Sequence, residues 1–457
     1  MRLFLNLTYC LIVVLLTPLI AWRYFVQGKN RRGWSQKLTG RVPRRNSNAP
    51  CFWVHAVSVG EVILLDTLIE EMRERMPDHE IVISTTTESG YDLACQRYSE
   101  LTVFFCPADF SWAIRRALKR VRPTMLLLSE LELWPNLIST AHEQGIPIAV
   151  INGRLSRGSF KGYKMIRWIS KPMIEKISLC CVQTARYARR FIELGAIPDR
   201  VKITGSVKFD SVASHAPGSS IATLRTLAHI SNDDIVWLAG STQENEDRIA
   251  IQTFAKLCVC HPKLKLILVP RHPNRCHRLK KYFKEFGLDY QLRSQLSVGK
   301  ISKAQVLVVD VIGELSAWWG IADFGYVGGS MGSRGGQNMI EPSSYGIPIC
   351  FGPDTENFQA VVELLLSSDA AKIVRNQEEM LAFVQQNLND PKPNQAMGQR
   401  AAEVVLNQKG ATSRTVKALS DLVASTTETG ATKSTATASE KLQVQDGSQQ
   451  SKLSDAA

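Results

Sequence analysis

The clearest strand-to-helix transition in the chain lies at residues 52–68, which read FWVHAVSVGEVILLDTL. The first part is apolar, as a buried strand requires, and Gly60 marks a short loop before apolar residues recur at helical spacing. Glu61 therefore begins a helix at the carboxyl end of a strand, where α/β proteins collect their ligand sites. Ser58 and Glu61 also have the spacing of a capping box, so a purely structural role for Glu61 stays open.

The same alternation of short apolar runs and amphipathic stretches continues from residue 51 through most of the chain. Continuous Val/Ile/Leu runs separated by helices, such as 62–76 and 112–121, predict parallel strands covered on both faces. The predicted strands are 51–55, 80–84, 101–105, 125–129, 146–151, 179–182 and 201–204 in the first half, and 235–239, 264–269, 306–309, 324–327 and 347–351 in the second.

The 457 residues are too many for one compact core, so the chain is predicted to form two doubly wound α/β halves. Two such halves bind ligand in the cleft between the carboxyl ends of their strands. Small residues, Pro and Gly in SVASHAPGSS mark a linker, and the Ser/Thr-rich end without aromatics is expected to be disordered. The predicted organisation is a membrane anchor (1–26), a basic segment (27–50), a first Rossmann-like domain (51–210), a linker (211–230), a second Rossmann-like domain (231–424) and a disordered tail (425–457).

The amino terminus has the composition of a membrane anchor. Residues 3–20 are apolar with few interruptions, and Trp22, Tyr24 and Phe25 precede a basic stretch at 29–45. This length is close to the minimum for crossing a bilayer, and the basic flank marks the following side as cytoplasmic. The flank would also attract anionic lipids. A cleavable signal peptide fits less well, because no A-x-A-like site follows.

Charge and cysteine content exclude other classes of protein. Nine of the thirteen net positive charges lie in residues 1–60, so the rest of the chain is only mildly basic. That distribution argues against a protein built for nucleic acid. None of the ten cysteines forms a C-x-x-C pair, which favours free thiols in a reducing compartment over a metal site or a disulfide framework.

Two more carboxylates, Glu130 and Glu132, follow a wholly apolar strand in LLLSELELWPNLI. Neighbouring like charges raise the pKa of a carboxylate, and a base at a helix N terminus, such as Glu61, would need that increase. The alternative is that either glutamate pairs with a basic neighbour. Lys208 follows a strand and a glycine turn in VKITGSVKFDS, where it could hold a phosphate or a sugar carboxylate, or be an ordinary solvated lysine.

The second half places charged residues at strand ends in the same way. Arg271 follows a strand between two prolines in LILVPRHPNR, and Gly313 and Glu314 stand at the end of the next strand in VVDVIGEL. The segment YVGGSMGSRGGQNMIEPSSYGIPICFGP is rich in glycine, which lets the backbone approach a ligand. A helix beginning near Asn338 would point its amides at an anion, and Glu341 could accept from ribose hydroxyls. Together these features predict a nucleotide site.

These segments together resemble the 3-deoxy-D-manno-octulosonic acid (Kdo) transferase family, which transfers Kdo from CMP-Kdo to a lipid A precursor. The resemblance implies a GT-B fold with two Rossmann-like domains facing a cleft, and an inverting mechanism without an essential metal or other cofactor. It also implies a role in lipopolysaccharide core biosynthesis at the cytoplasmic face of the inner membrane, on a single-pass or monotopic anchor. The matching runs, in order between about residues 50 and 358, are HAVSVGE, ELELWPNLI, NGRLS, LGA, TGSVKFD, LVPRHP, GEL, VGGS, GGQN, EP, GIP, GP and NF.

The resemblance also implies roles for individual residues. The family's catalytic base falls on Glu61, and the groups proposed to stabilise its transition state fall on Glu130 and Lys208. Gln337 and Asn274 depart from its usual residues, which bears on fine substrate preference. The implied partners are CMP-Kdo as donor, lipid IVA as acceptor and anionic membrane lipids, with no nucleic acid. The implied CMP contacts are Pro270, Arg271, Ile312, Gly313, Glu314, Asn338, Met339, Ile340 and Glu341.

Two alternatives stay open at this point. The nearest is a GT-B transferase or epimerase that uses a UDP-sugar, which a test of donors would distinguish. The other is a membrane-tethered binding module without catalysis, which would leave the carboxylates at the strand ends unexplained.

Overall fold

The computed structural model describes residues 2–26, 32–211, 218–296 and 304–426. Within these ranges, residues up to Val207 and from Gly410 onward form one compact unit, and Lys208–Lys409 form a second. Each unit contains a parallel seven-stranded sheet. The basic residues Lys29 and Arg31, the linker residues 212–217 and the tail residues 427–457 lie outside the described residues.

The sheet of the first unit has the strand order β3-β2-β1-β4-β5-β6-β7. Its strands are β1 Cys51–His55, β2 Glu80–Thr85, β3 Thr102–Phe105, β4 Met125–Ser129, β5 Ile148–Gly153, β6 Leu179–Val182 and β7 Val201–Ile203. The helices before residue 208 are α1 Arg2–Phe25, α2 Trp34–Thr39, α3 Val59–Arg75, α4 Glu88–Arg97, α5 Ser111–Val121, α6 Pro135–Glu143, α7 Arg157–Met165, α8 Arg167–Ile174 and α9 Ala185–Leu194, with a 3₁₀ turn at Pro198–Arg200.

The sheet of the second unit has the order β10-β11-β9-β8-β12-β13-β14. Its strands are β8 Ile235–Thr242, β9 Leu264–Pro270, β10 Tyr290–Leu292, β11 Val306–Val308, β12 Phe324–Val327, β13 Ile349–Phe351 and β14 Lys372–Ile373. Its helices are α10 Lys208–Ser211, α11 Gly218–Leu227, α12 Glu244–Leu257, α13 Cys276–Phe286, α14 Leu315–Trp319, α15 Ile340–Ser344, α16 Gln359–Ser367, α17 Gln377–Asn389 and α18 Lys392–Gln408, with 3₁₀ turns at Pro273–Arg275, Arg293–Gln295 and Glu356–Phe358.

Both faces of the first sheet are covered by helices, as its apolar strands predict. Successive side chains of a strand point to opposite faces, and in β1 Trp53 packs in one buried cluster while Phe52 and Val54 pack in another. A final helix, residues 411–426, adds Val416 and Leu419 to the second of these clusters. Residues 410–424, which we expected in the second domain, therefore fold with the first unit.

The remaining differences from the sequence expectations are local. The predicted strands form with end shifts of a few residues, whereas the short strands β10 and β14 were not predicted, because two or three residues show no period. The expected linker 211–230 contains α11, and the expected tail begins inside the final helix, which ends at residue 426. The helix expected near Asn338 begins at Ile340 and has five residues.

The α1 helix exposes apolar side chains and also makes specific contacts to the rest of the first unit. Its window Arg2–Leu19 has a mean hydropathy of 1.8 and is long and apolar enough to cross a membrane. Leu3 and Leu15 are 73% and 69% exposed. The Tyr9 hydroxyl donates to Asp109 Oδ2 at 3.1 Å, and the Asp109 carboxylate also accepts from the first backbone amides of α6. This helix is therefore docked through its polar side chains.

Candidate functional site

Glu61 lies in the first turn of α3, directly after β1 and its short loop. Its Oε2 accepts from the backbone N–H of Val57 at 3.0 Å, and its Oε1 accepts from the Ser58 hydroxyl at 3.1 Å. The Ser58 side chain makes no capping hydrogen bond to α3. The capping box that the sequence allowed does not form, because the serine hydroxyl bonds to the carboxylate instead of the helix amides.

The surroundings of Glu61 raise its pKa to about 7. Burial is the main cause, because it penalises the charged carboxylate, and the nearby charges of Glu130 and Glu132 add to it. The hydrogen bonds from Val57 and Ser58 act in the opposite direction and are outweighed. Glu61 is therefore a carboxylate that can exchange a proton near neutral pH, as a general base must.

Glu130 follows β4, which is the neighbour of β1 in the sheet. Its backbone is left-handed with a φ of 55°, a conformation that costs a non-glycine residue roughly 1 kcal/mol or more. Its carboxylate Oε2 accepts from Arg154 Nε at 2.7 Å, and its side chain is only 13% exposed. The expected alternative, pairing with a basic neighbour, is realised here. Arg154 lies in the NGRLS run, but its partner could not be found from the sequence.

Glu132 is the third carboxylate of this edge. Burial raises its pKa, and the indole N–H of Trp134 donates to its Oε2 at 2.9 Å. Burial, together with the charge of Glu132, also raises the pKa of the Tyr163 hydroxyl. Glu61, Glu130 and Glu132 are thus one electrostatically coupled group at the carboxyl edge of the first sheet.

Lys208 belongs to the second unit, where it begins α10. Its Nζ lies 5.2 Å from the centre of the Phe358 ring, a cation–π distance. Within the second unit it is therefore grouped with a residue of the NF run.

The implied nucleotide contacts gather at the carboxyl edge of the second sheet. Pro270 ends β9 and Arg271 follows it, residues 312–314 follow β11, and residues 338–341 follow β12. Because all these strands are parallel, their ends meet at one edge. The Arg271 backbone N–H donates to Thr242 O at 3.0 Å, and its side chain is exposed. The guanidinium is therefore accessible to a ligand.

Glu314 is held by groups that the sequence did not reveal. Arg293 forms a bidentate pair with it, with Nε and Nη2 at 2.8 and 2.7 Å from the two carboxylate oxygens. The Trp318 indole N–H also donates to Oε2 at 3.2 Å. Because both carboxylate oxygens are occupied, Glu314 positions its own loop. The accessible part of this loop is Ile312, which is 88% exposed, and the backbone of Gly313, where φ is 95°.

Residues 338–341 lie differently from our expectation. With only five residues, α15 lacks the aligned peptide dipoles that the anion-binding argument assumed. The Asn338 side-chain oxygen accepts from Ile340 N at 3.0 Å, and the Met339 and Ile340 side chains are fully buried. Burial raises the pKa of the Glu341 carboxyl. Backbone groups and Glu341 are thus what this segment can offer a ligand.

Glu246 organises the glycine-rich loop and was not predicted. It is 2% exposed, at the start of α12. A row of backbone amides around an anion is a nest, and here the protein's own carboxylate fills it. The amides of residues 329–331 are therefore not available to a phosphate. The donors to Glu246 are the backbone N–H groups of Gln243, Gly329, Ser330 and Met331 and the Tyr326 hydroxyl, at 2.7–2.9 Å.

A basic cavity of about 440 Å³ lies at the same edge. Arg275, Arg278, Arg334 and His272 line it, together with the glycine-rich loop and the acidic residues Glu244 and Glu246. Arg275 Nη2 pairs at 2.6 Å with Asp247, which is fully buried. Such a cavity suits an anionic ligand. Among the described residues, no three His, Cys, Asp or Glu side chains form a group that could hold a metal ion.

Comparison with known proteins places the sequence among named relatives. The profile of the family described as 3-deoxy-D-manno-octulosonic-acid transferase (kdotransferase) matches residues 29–211. A 3-deoxy-D-manno-octulosonic acid transferase from Haemophilus influenzae is 31% identical over 374 residues, which are 80% of this chain and 87% of the relative. The protein of that name from Bordetella pertussis is 31% identical over 424 residues, which are 89% of this chain and 96% of the relative.

The fold has solved counterparts as well. UDP-GlcNAc 2-epimerase from Neisseria meningitidis, bound to UDP-GlcNAc, aligns with a TM-score of 0.53 over 79% of this chain and 99% of that one. The sequence identity is 14%, so this likeness concerns the fold alone. Together with the two parallel seven-stranded sheets, it confirms the predicted GT-B architecture.

Proposed function

Since the chain belongs to the 3-deoxy-D-manno-octulosonic acid (Kdo) transferase family of glycosyltransferases, we propose that it transfers Kdo from CMP-Kdo to a lipid A precursor, lipid IVA, with inversion at the anomeric carbon. The observation that carries the proposal is Glu61. It is fixed by two hydrogen bonds and has a pKa of about 7 at the carboxyl edge of a sheet.

In the proposed reaction, Glu61 accepts the proton of a sugar hydroxyl on the acceptor. The hydroxyl oxygen forms a bond to the anomeric carbon of Kdo, while the bond from that carbon to the CMP phosphate oxygen breaks. CMP leaves with the electron pair of that bond. A single displacement of this kind requires attack from the side opposite the leaving group, and it inverts the anomeric configuration. The negative charges of Glu130 and Glu132 favour proton uptake by Glu61.

The charge of the departing phosphate requires basic groups in the second unit. Arg271 is exposed at the edge of the second sheet, and three further arginines line the basic cavity there. A charged donor bonded to a phosphate is stronger than a neutral one. We propose Arg271 and the backbone of residues 312–314 as CMP contacts, with Glu341 available to ribose hydroxyls, and Lys208 as a further cation of the reaction.

The proposed location is the cytoplasmic face of the inner membrane. The support is α1, which is long and apolar enough to cross a membrane, and the basic segment that follows it. Basic residues near an anionic bilayer surface contribute about 1 kcal/mol each. A lipid acceptor would then reach the enzyme by diffusion within the membrane.

The test is a transfer assay with purified full-length protein, CMP-Kdo and a tetraacylated lipid A precursor, with products resolved by mass. We expect a mass increase by one or more Kdo units, and none with UDP-GlcNAc as donor. A Glu61→Gln variant of equal melting temperature serves as the control for contaminating activity. A product from the UDP-sugar, or none from CMP-Kdo, would contradict the proposal.

A further inference from the structure

The basic cavity at the edge of the second sheet contains cations that the proposed CMP contacts do not include. Its walls come from the segments that follow β8, β9 and β12. None of the residues proposed above as CMP contacts, from Pro270 to Glu341, lines it. His272 does line it and directly follows Arg271, so the cavity adjoins the proposed phosphate contact. Its volume of about 440 Å³ is within the range of small-molecule sites.

Two acidic residues also belong to the wall of this cavity, and both already have partners. Glu246 accepts from four backbone amides and from the Tyr326 hydroxyl. Glu244 lies 3.5 Å from Lys281 Nζ in an exposed ion pair. Among the described residues, neither carboxylate forms an ion pair with an arginine of the cavity. The arginines therefore keep their charge for another anion.

The three arginines differ in how they are held. Arg275 has a side chain that is 16% exposed, and it is fixed by Asp247 at 2.6 Å and by Gln243 Oε1 at 3.3 Å. Arg278 and Arg334 are exposed, and neither guanidinium is paired with a carboxylate among the described residues. A guanidinium matches a carboxylate in shape and can bond to it through two parallel N–H groups. The cavity thus offers two unpaired guanidinium groups beside a fixed one.

The proposed donor carries two anionic groups on one carbon. Kdo is an oct-2-ulosonic acid, so its anomeric carbon bears a carboxylate as well as the oxygen bonded to the CMP phosphate. Like charges at this distance repel each other, so a donor site needs cations for both groups. The amides of residues 329–331 cannot serve, because Glu246 occupies them. With Arg271 assigned to the phosphate, the carboxylate is the anion that remains for the cavity.

We propose that this cavity binds the carboxylate of the donor sugar, with Arg278 and Arg334 as its charged contacts. The inference rests on the proposed function, because it requires a nucleotide-linked sugar acid as donor. It adds a specificity element that recognises the sugar instead of the nucleotide. A donor with a neutral sugar leaves these guanidinium groups without a counter-charge and is therefore bound less tightly.

Two residues of α13 provide a matched pair of variants for the first test. Arg278→Ala and Lys280→Ala each remove one positive charge from an exposed position, but only Arg278 lines the cavity. Full-length enzymes are compared by their KM for CMP-Kdo in transfer and by their affinity for CMP alone in titration. Loss of a hydrogen bond to a charged group changes affinity by about tenfold or more, so Arg278→Ala should raise the donor KM by that factor. Its CMP affinity should match that of Lys280→Ala, and Arg334→Ala should behave like Arg278→Ala.

The recognised group is identified with a donor analogue in which a carboxamide replaces the carboxylate of the sugar. The ratio of kcat/KM for the acid to that for the amide is measured in each enzyme, and this ratio does not depend on the folded fraction of a preparation. The preference for the acid should be about tenfold smaller in Arg278→Ala than in Lys280→Ala. Arg278→Lys keeps the charge and should retain part of the preference.

The outcomes separate the two proposals. Failure of the wild-type protein to transfer Kdo from CMP-Kdo overturns the proposed function itself. If the wild type is active but Arg278→Ala and Arg334→Ala weaken CMP binding as much as donor use, the cavity holds the phosphate and the inference is wrong. The inference is also wrong if Arg278→Ala and Lys280→Ala prefer the acid over the amide to the same extent.

Discussion

Replacing Glu61 by Gln tests whether the raised pKa serves catalysis. The amide keeps the shape of the side chain and can still accept from the Val57 amide and the Ser58 hydroxyl, but it cannot take up a proton. Loss of a general base lowers turnover by about 10²–10⁴. Stability should not fall, because the variant removes a buried carboxylate whose charged form is penalised by burial. The measurements are kcat with saturating CMP-Kdo, the melting temperature and the affinity for CMP. The affinity for CMP should be unchanged.

The pH dependence gives a second, independent measure of the same group. With a pKa of about 7, about half of Glu61 is ionised at pH 7 and about one tenth at pH 6. Wild-type turnover should therefore rise with pH and reach a plateau above pH 7, and the residual activity of Glu61→Gln should lack this rise. The folded protein holds its proton more tightly than the unfolded chain, so the free energy of unfolding should fall as pH rises from the ordinary carboxyl range through about 7.

Ser58→Ala is the matched control, because it removes a donor to the carboxylate and leaves the base in place. Its hydrogen bond lowers the pKa of Glu61, so the variant's pH profile should shift upward, with full turnover recovered at higher pH. Near-normal turnover of Glu61→Gln, or a Ser58→Ala variant that is the less active of the two at every pH, would refute the assignment of Glu61 as base.

Three further predictions concern donor binding, the anchor and the glycine-rich loop. Arg271→Ala should weaken CMP binding about ten- to a hundredfold in titration, since a bond to a charged group is worth roughly 1.5–3 kcal/mol, and unchanged affinity would remove Arg271 from the site. Deleting residues 2–26 should leave a folded protein that associates more weakly with membranes in fractionation. Its melting temperature should be somewhat lower, because Asp109 loses the hydrogen bond from the Tyr9 hydroxyl. A truncated chain that cannot fold would show that α1 is part of the core. Glu246→Gln should destabilise by about 1–3 kcal/mol and weaken CMP binding, because buried loop amides lose an acceptor. The control Glu244→Gln, at an exposed position of the same helix, should leave stability unchanged.

The sequence predicted what depends on local pattern. Apolar runs of five or more residues gave the central strands, and the position of Glu61 after β1 followed from one glycine and the change of period. The return of residues 411–426 to the first unit could not be predicted, because an amphipathic helix does not specify which sheet it covers. The edge strands β10 and β14 were too short to show a pattern.

The larger part of what the sequence did not predict is the partners of the charged residues. Arg293 lies 21 residues from Glu314, and Arg154 lies 24 residues from Glu130. These pairs form because parallel strands bring distant segments to one sheet edge, and a single sequence does not report such register. Residue types at strand ends therefore predicted which residues gather at each sheet edge but left open which side chains face a ligand and which hold each other.

Glu61 and Glu246 show how far local signals can mislead. Each is the third residue of a helix, and each follows a polar residue at the N-cap position, so local sequence gives them the same capping-box interpretation. Only Glu246 forms that box, and three loop amides and a tyrosine hydroxyl complete its hydrogen bonds. Glu61 has two donors, and burial among like charges outweighs them. Glu246 accepts from five donors, whereas Glu61 accepts from two and has a raised pKa. The structural role of Glu246 and the proposed catalytic role of Glu61 therefore differ only in the groups that distant segments place around each carboxylate.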